Sequence, residues 1–153
     1  MEKICCFTGH RDIPESESEQ LFERLYRAIE ELADEGFCIF RAGGAVGFDR
    51  LAADAVIALR QKRPNIKLYI YVPCLEQNKF FSQEENEHYI AQIKSADKIL
   101  CISEKYYKGC MQDRNRALVN GSDACICYLR KSVGGTAFTV NYAEKQNCRI
   151  IRL

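Results

Sequence analysis

Short apolar runs alternate with stretches of helical periodicity along the whole chain. Residues 4–7 form an unbroken apolar run that predicts a buried strand, and runs at 37–40, 68–72, 98–102, 124–129 and 148–151 predict five more. Between the first two, Leu21, Phe22, Leu25, Ile29 and Leu32 share one helical face. Pro14 and a capping-box pattern from Ser16 to Glu19 mark the start of that helix, and Gly36 stands where a C-terminal cap belongs. A second helix is predicted over 48–62, from the spacing of Phe48, Leu51, Ala52, Ala55, Val56 and Leu59, with Pro64 beyond its end. Pro73 is expected to stop the third strand. A second capping-box pattern, Ser82 to Glu85, opens a third helix that runs to about Ala96. A short fourth begins at Asp113 and carries Ala117, Leu118 and Val119, and a fifth covers 137–145.

Strands that are apolar throughout, each followed by a helix, imply an α/β fold: a mainly parallel sheet with helices on both faces, hence three layers. No linker, repeat or low-complexity tract interrupts the alternation, so residues 1–153 are expected to form one domain.

Glycines mark one edge of that sheet. Six of the nine, Gly9, Gly43, Gly44, Gly47, Gly134 and Gly135, lie in turns directly after predicted strands. In a parallel sheet those turns emerge together at the carboxyl ends of the strands, the edge where open α/β sheets bind ligands. The turn from Gly43 to Gly47 lets the backbone approach a ligand closely and runs into a helix N-terminus, where unpaired N–H groups favour an anion. It is not a P-loop, because no Lys follows Gly47. It matches the dinucleotide fingerprint only in part, Ala42, Gly44 and Gly47 having its spacing but after the second strand.

Around these turns stand side chains suited to a phosphorylated ligand. Arg11 fits bidentate phosphate binding. His10 serves as a donor, an acid/base or a turn-stabilising residue. Asp49, in the first turn of a helix, either complements the dipole or faces a ribose hydroxyl. Arg114 and Asn115 start a helix after the fourth strand and reach toward the same crevice. Thr136 either caps the last helix or bonds a phosphate oxygen. Arg116 and His88 read as solvated helix-surface residues.

Composition adds limits. Charged residues make up 28% and hydrophobic ones 47%, which excludes a disordered chain. A net charge of +1 offers no bulk attraction for nucleic acid or an anionic membrane, so neither is expected as a partner. Without a membrane-length apolar run or a signal-type N-terminus, a cytoplasmic protein is expected. The nine cysteines include no C-x-x-C pair and no zinc spacing, so no metal or cofactor is expected and the thiols should be reduced. Cys74 and Cys110 fall in predicted loops and are the candidates for a reactive thiol.

Taken in order, Phe7-Thr-Gly-His-Arg11, the 42–49 loop, Ala52-Ala-Asp54, Asp113-Arg-Asn-Arg116 and Gly134-Gly-Thr136 resemble the SLOG superfamily, in its YoqJ/YpsA-like branch. The resemblance covers essentially the whole chain. It implies a Rossmann-like sheet of strand order 3-2-1-4-5 plus a short C-terminal strand, and a nucleotide-type ligand held by the two glycine loops. The same resemblance implies a homodimer. That superfamily also holds the Lonely Guy phosphoribohydrolases and the Smf/DNA-processing protein A family. Lonely Guy enzymes place a catalytic Glu shortly after the second glycine pair, where this sequence reads Ala137-Phe-Thr-Val140. Asp49 is the only evident substitute for catalysis of N-glycosidic cleavage. The favoured reading is a nucleotide-binding or sensing domain. N-glycosidase action and single-stranded DNA binding are the alternatives, the latter through Tyr106, Tyr107, Lys105 and Lys108.

Overall fold

The computed structural model describes residues 2–153. Its elements follow the order β1 (Lys3–Gly9), α1 (Glu15–Asp34), β2 (Phe37–Ala42), α2 (Phe48–Arg60), β3 (Lys67–Cys74), α3 (Gln83–Ser95), β4 (Lys98–Ser103), α4 (Cys110–Val119), β5 (Ala124–Tyr128), α5 (Gly135–Lys145) and β6 (Arg149–Arg152). All neighbouring strands run parallel in one sheet of order β4-β3-β2-β1-β5-β6.

Helices cover both faces, each through its own apolar stripe. On one side α1 and α2 bury Leu25, Ile29, Leu32, Phe48, Val56 and Leu59 against Phe7, Phe40, Leu68 and Ile70, with Tyr89 and Ile93 of α3 packed at the margin. On the other, Leu118 and Val119 of α4 and Val140 and Ala143 of α5 close over Cys6, Cys125 and Cys127.

The strand order differs from the expected 3-2-1-4-5, and the helices explain why. The chain steps outward from β1 to β4 with α1, α2 and α3 on one face. Helix α4 then crosses back over the opposite face, packed on β4, β3 and β1, and delivers β5 to the other side of β1. The sheet therefore reverses direction between β1 and β5, not between β1 and β4. This is the switch point beside which ligands of open α/β sheets bind.

Several boundaries also move. Helix α1 starts at Glu15 with Pro14 as its N-cap and no side-chain cap, so the Ser16–Glu19 pattern lies inside the helix and caps nothing. The box at Ser82 forms fully, the Ser82 hydroxyl accepting from Glu85 N–H at 3.1 Å while the Glu85 carboxylate accepts from Ser82 N–H at 2.8 Å. Pro73 does not end β3. Pairing with β2 finishes at Ala42 opposite Ile70, while pairing with β4 continues to Cys74 opposite Ser103. Beyond Ile70 one side of β3 is free of ladder bonds, which is where proline is tolerated. Cys74 thus ends a strand and Cys110 begins α4. Both are buried, which corrects their placement as reactive loop thiols.

Candidate functional site

Packing dictates most of the glycines at the carboxyl edge. A Cβ on Gly9 would overlap the Phe48 side chain, its Cβ lying 2.5 Å away. Phe48 stacks on Tyr128 with ring centroids 6.0 Å apart, and His10 meets Tyr128 edge-on at 5.9 Å. These rings join the β1 turn to the first turn of α2 and the end of β5. Gly47 has φ +81°, and a Cβ there would overlap the Arg11 backbone, 2.5 Å from its carbonyl carbon. Gly44, at φ +75°, would direct a Cβ toward Ile70, Val72 and Tyr89. A Cβ on Gly43 would lie 2.5 Å from Asp49 Oδ2 and 3.1 Å from Arg114 Nη1.

The second glycine turn differs. Gly134 has φ +106° and nothing within 4 Å of an added Cβ, and Gly135 has only Asn115 Nδ2 at 4.0 Å. No side chain caps α5, so the capping role expected for Thr136 is not taken up, and Thr136 is buried beneath the turn. The first N–H groups of α5 therefore have no side-chain acceptor.

Between the β1 turn, α4 and the start of α5 lies a cavity of about 530 Å³. Gly9, His10, Arg11, Asp49, Arg114, Asn115, Gly134, Gly135 and Thr136 line it together. Gly43, Gly44 and Gly47 are not on its wall. They shape the backbone beneath, Gly43 accepting through its carbonyl from Arg114 Nη1.

The charges here are unevenly matched. Arg114 is only 5% exposed, bonded to the carbonyls of Gly43 and Tyr71 and through Nε to Asn115 Oδ1 at 3.0 Å. Burial lowers its pKa, opposed by the nearby Asp49 charge. Asp49 is 8% exposed and accepts from Ala45 N–H at 3.3 Å. Burial pushes its carboxyl upward, against the pull of Arg114, the Ala45 N–H and Arg11. Arg11 is exposed at the rim with no ion pair among the described residues. Lys131 completes the cavity's cations, against Asp49 as its one carboxylate. Sequence reasoning passed over Lys131, although the basic pair Arg130-Lys131 just before a glycine turn was a usable signal.

His10 is not a free acid/base. Its Nε2 accepts from Arg130 N–H at 2.8 Å, which leaves the proton of the neutral ring on Nδ1. Burial, then Lys131 and Arg130, lowers its pKa. Its carbonyl also accepts from Phe48 N–H at 3.1 Å. His88, expected in solvent, instead contacts both Asp54 carboxylate oxygens at 2.9 Å, and buried Gln92 donates to Asp54 Oδ1 at 2.7 Å. Glu144 is occupied far along α5 by Arg152 at 3.2 Å. Arg41, at the head of the glycine loop, donates to the Leu118 and Asn120 carbonyls and so closes the C-terminal end of α4.

A second cavity of about 620 Å³ adjoins the first on the β3–β4 side and shares Arg11, Ala45 and Met111 with it. Pro73, Phe80, Phe81 and Tyr106 form its apolar wall. Among the described residues there is no cluster of three metal-ligating side chains, and no helix is long and apolar enough to cross a membrane.

Comparison with known proteins places this architecture. The uncharacterized SPbeta prophage-derived protein YoqJ of Bacillus subtilis is 32% identical over 139 residues, covering 82% of this chain and 81% of that protein. A UPF0398 protein of Halalkalibacterium halodurans is 30% identical over 118 residues, 75% of this chain and 62% of its own. Among solved structures, DNA processing protein A of Helicobacter pylori, described for its single-stranded DNA binding mode, superposes with TM-score 0.68 and 26% identity. It matches 98% of this chain, which spans 64% of that one. DNA processing protein A of Streptococcus pneumoniae gives TM-score 0.69 at 14% identity, this chain spanning half of it, and shows the shared fold. The likeness to the Helicobacter protein corrects the low weight that net charge gives to nucleic acid as a partner. Net charge summed over a chain says little about one edge where Arg11, Arg114 and Lys131 gather. The model of the YspA SLOG family matches residues 7–150, and the chain belongs to that family.

Proposed function

We propose that this chain binds a nucleotide, with the phosphate in the cavity between the β1 and β5 turns. The observation that carries this reading is the set of unmatched donors there. Three cations line the cavity with one buried carboxylate, and Gly134 and Gly135, at the uncapped N-terminus of α5, line it too. Helix N-termini and guanidinium groups are the elements that hold phosphate oxygens. Arg114 is fixed by three hydrogen-bond partners, so it meets an anion without reorganising. Asp49, the cavity's only carboxylate, stands where a ribose hydroxyl would be recognised and where any N-glycosidic turnover would be sought. Nine free thiols, seven of them buried, fit a reducing compartment.

The experiment is thermal unfolding with nucleoside mono-, di- and triphosphates. A ligand at about one hundred times its Kd stabilises the native state by roughly 2.7 kcal/mol. For a domain of this size that is a rise in Tm of about 5–11 °C. No rise with any nucleotide, at millimolar concentration, would overturn the reading.

A second reading is favoured by the likeness to the Helicobacter pylori protein, whose reported partner is single-stranded DNA. In that case the phosphates belong to a DNA strand crossing the same edge. Binding would then be tighter for an oligothymidylate than for mononucleotides and would fall linearly with log salt.

A further inference from the structure

The larger cavity is built differently from its neighbour, and the difference points to what occupies it. Its charges are balanced, Arg11 and Lys79 against Glu76 and Glu85, whereas the phosphate cavity carries an excess of cations. Its wall is aromatic. Phe80 is 90% exposed and Tyr106 64% exposed, from two loops that face each other beyond the ends of β3 and β4. An exposed Phe beside a cavity is unfavourable in water and becomes favourable once a flat ring covers it. Gln77, on the same wall, donates through Nε2 to the Gly43 carbonyl at 3.4 Å and so ties this wall to the glycine turn. Each cavity lies within the range of about 300–1,000 Å³ that suits a small ligand, and Arg11 stands on the wall they share.

We propose that the aromatic cavity is the base subsite of the same ligand: a nucleobase stacks on Phe80 and Tyr106, while Arg11 and the phosphate cavity hold the phosphorylated sugar. This rests on the nucleotide reading and adds to it the orientation of the ligand and the source of its base affinity. The base is carried either by a free nucleotide or by one residue of a single DNA strand. The chemistry seen by the cavity is the same.

Calorimetric titration of the full chain with ribose 5-phosphate, AMP, TMP and a five-residue thymidylate strand separates the parts. Stacking on one aromatic platform corresponds to about 5- to 150-fold in affinity. AMP or the strand should bind tighter than ribose 5-phosphate by a factor in that range. Phe80→Ala, and separately Tyr106→Ala, should remove most of that factor and leave ribose 5-phosphate unchanged. Phe80 is too exposed for its loss to unfold the chain. An effect confined to AMP and TMP assigns the subsite to free nucleotides, and one confined to the strand assigns it to DNA. Both support the proposal. If ribose 5-phosphate binds as tightly as every base-bearing ligand, or if neither substitution changes any affinity, the base subsite is wrong while the phosphate site stands. If neither ribose 5-phosphate nor any base-bearing ligand binds, the nucleotide reading falls and the subsite with it.

Discussion

Gly47→Ala separates a glycine held by packing from one held only by its backbone angle. Gly47 sits at φ +81° and ψ −125°, and Gly134 at φ +106° and ψ −175°. Both conformations are ones that residues with a Cβ rarely adopt, at a cost of about 1–3 kcal/mol. There the likeness ends. An added Cβ at Gly134 meets nothing within 4 Å, whereas at Gly47 it overlaps the backbone of Arg11, lying 2.6 Å from its Cα. Backbone cannot rotate aside as a side-chain tip can, so the β1 turn must shift. That overpacking adds about 1–3 kcal/mol, which brings Gly47→Ala to roughly 2–6 kcal/mol against about 1–3 for Gly134→Ala. Urea unfolding followed by circular dichroism measures both variants against the parent chain. Gly47→Ala should lose clearly more stability than Gly134→Ala. Equal losses would mean that the turn gives way freely and that Gly47 does not set the approach of the β1 and β2 turns.

Other expectations follow from the same geometry. His10 is held neutral by burial and nearby cations, so its contribution is complete above about pH 6.5 and is lost as pH falls through its lowered folded value. NMR titration should place the His10 midpoint below 6.5 with the proton on Nδ1, and a midpoint at or above 6.5 would refute the Arg130 bond. Asp49 shifts the other way. Its raised pKa means that stability is fully present below about pH 3.9 and declines as pH rises through the folded value. The stability of the parent chain relative to Asp49→Asn should therefore fall with rising pH, and a flat difference would contradict the burial argument. Gln92→Ala leaves the Arg50 carbonyl and Asp54 without a buried donor, which should cost about 1–3 kcal/mol in urea unfolding. A disulfide-forming thiol reagent should modify exposed Cys101 first in the native protein, with Cys74 and Cys110 reacting only on unfolding. Early loss of either buried thiol would show that the β3 end opens.

Much of this architecture is legible in the sequence because it rests on local pattern. Unalternating apolar runs and helical stripes produced the parallel three-layer fold, and glycines after strands pointed to the carboxyl edge. What was not legible depends on contacts distant in sequence. The order of the outer strands follows from α4 crossing the second face, which no local signal records. The close packing of Gly9 on Phe48 and of Gly47 on the Arg11 backbone is likewise set by distant contacts. Arg114 reads as reaching toward the crevice, but the carbonyls that fix it, in the turn after β2 and in β3, are distant in sequence and leave no local signal. Phe80 and Tyr106 are far apart in the chain and share a cavity only because β3 and β4 pair.

The most direct measurement is an amide NMR titration of the isotopically labelled chain with AMP and with a short thymidylate strand. The account predicts saturable shifts, for at least one of the two, that are largest at Gly134, Gly135 and Thr136 and extend to His10 and Arg11. Saturable shifts centred elsewhere, such as on the exposed strand β4, or none at all with either ligand, would contradict it.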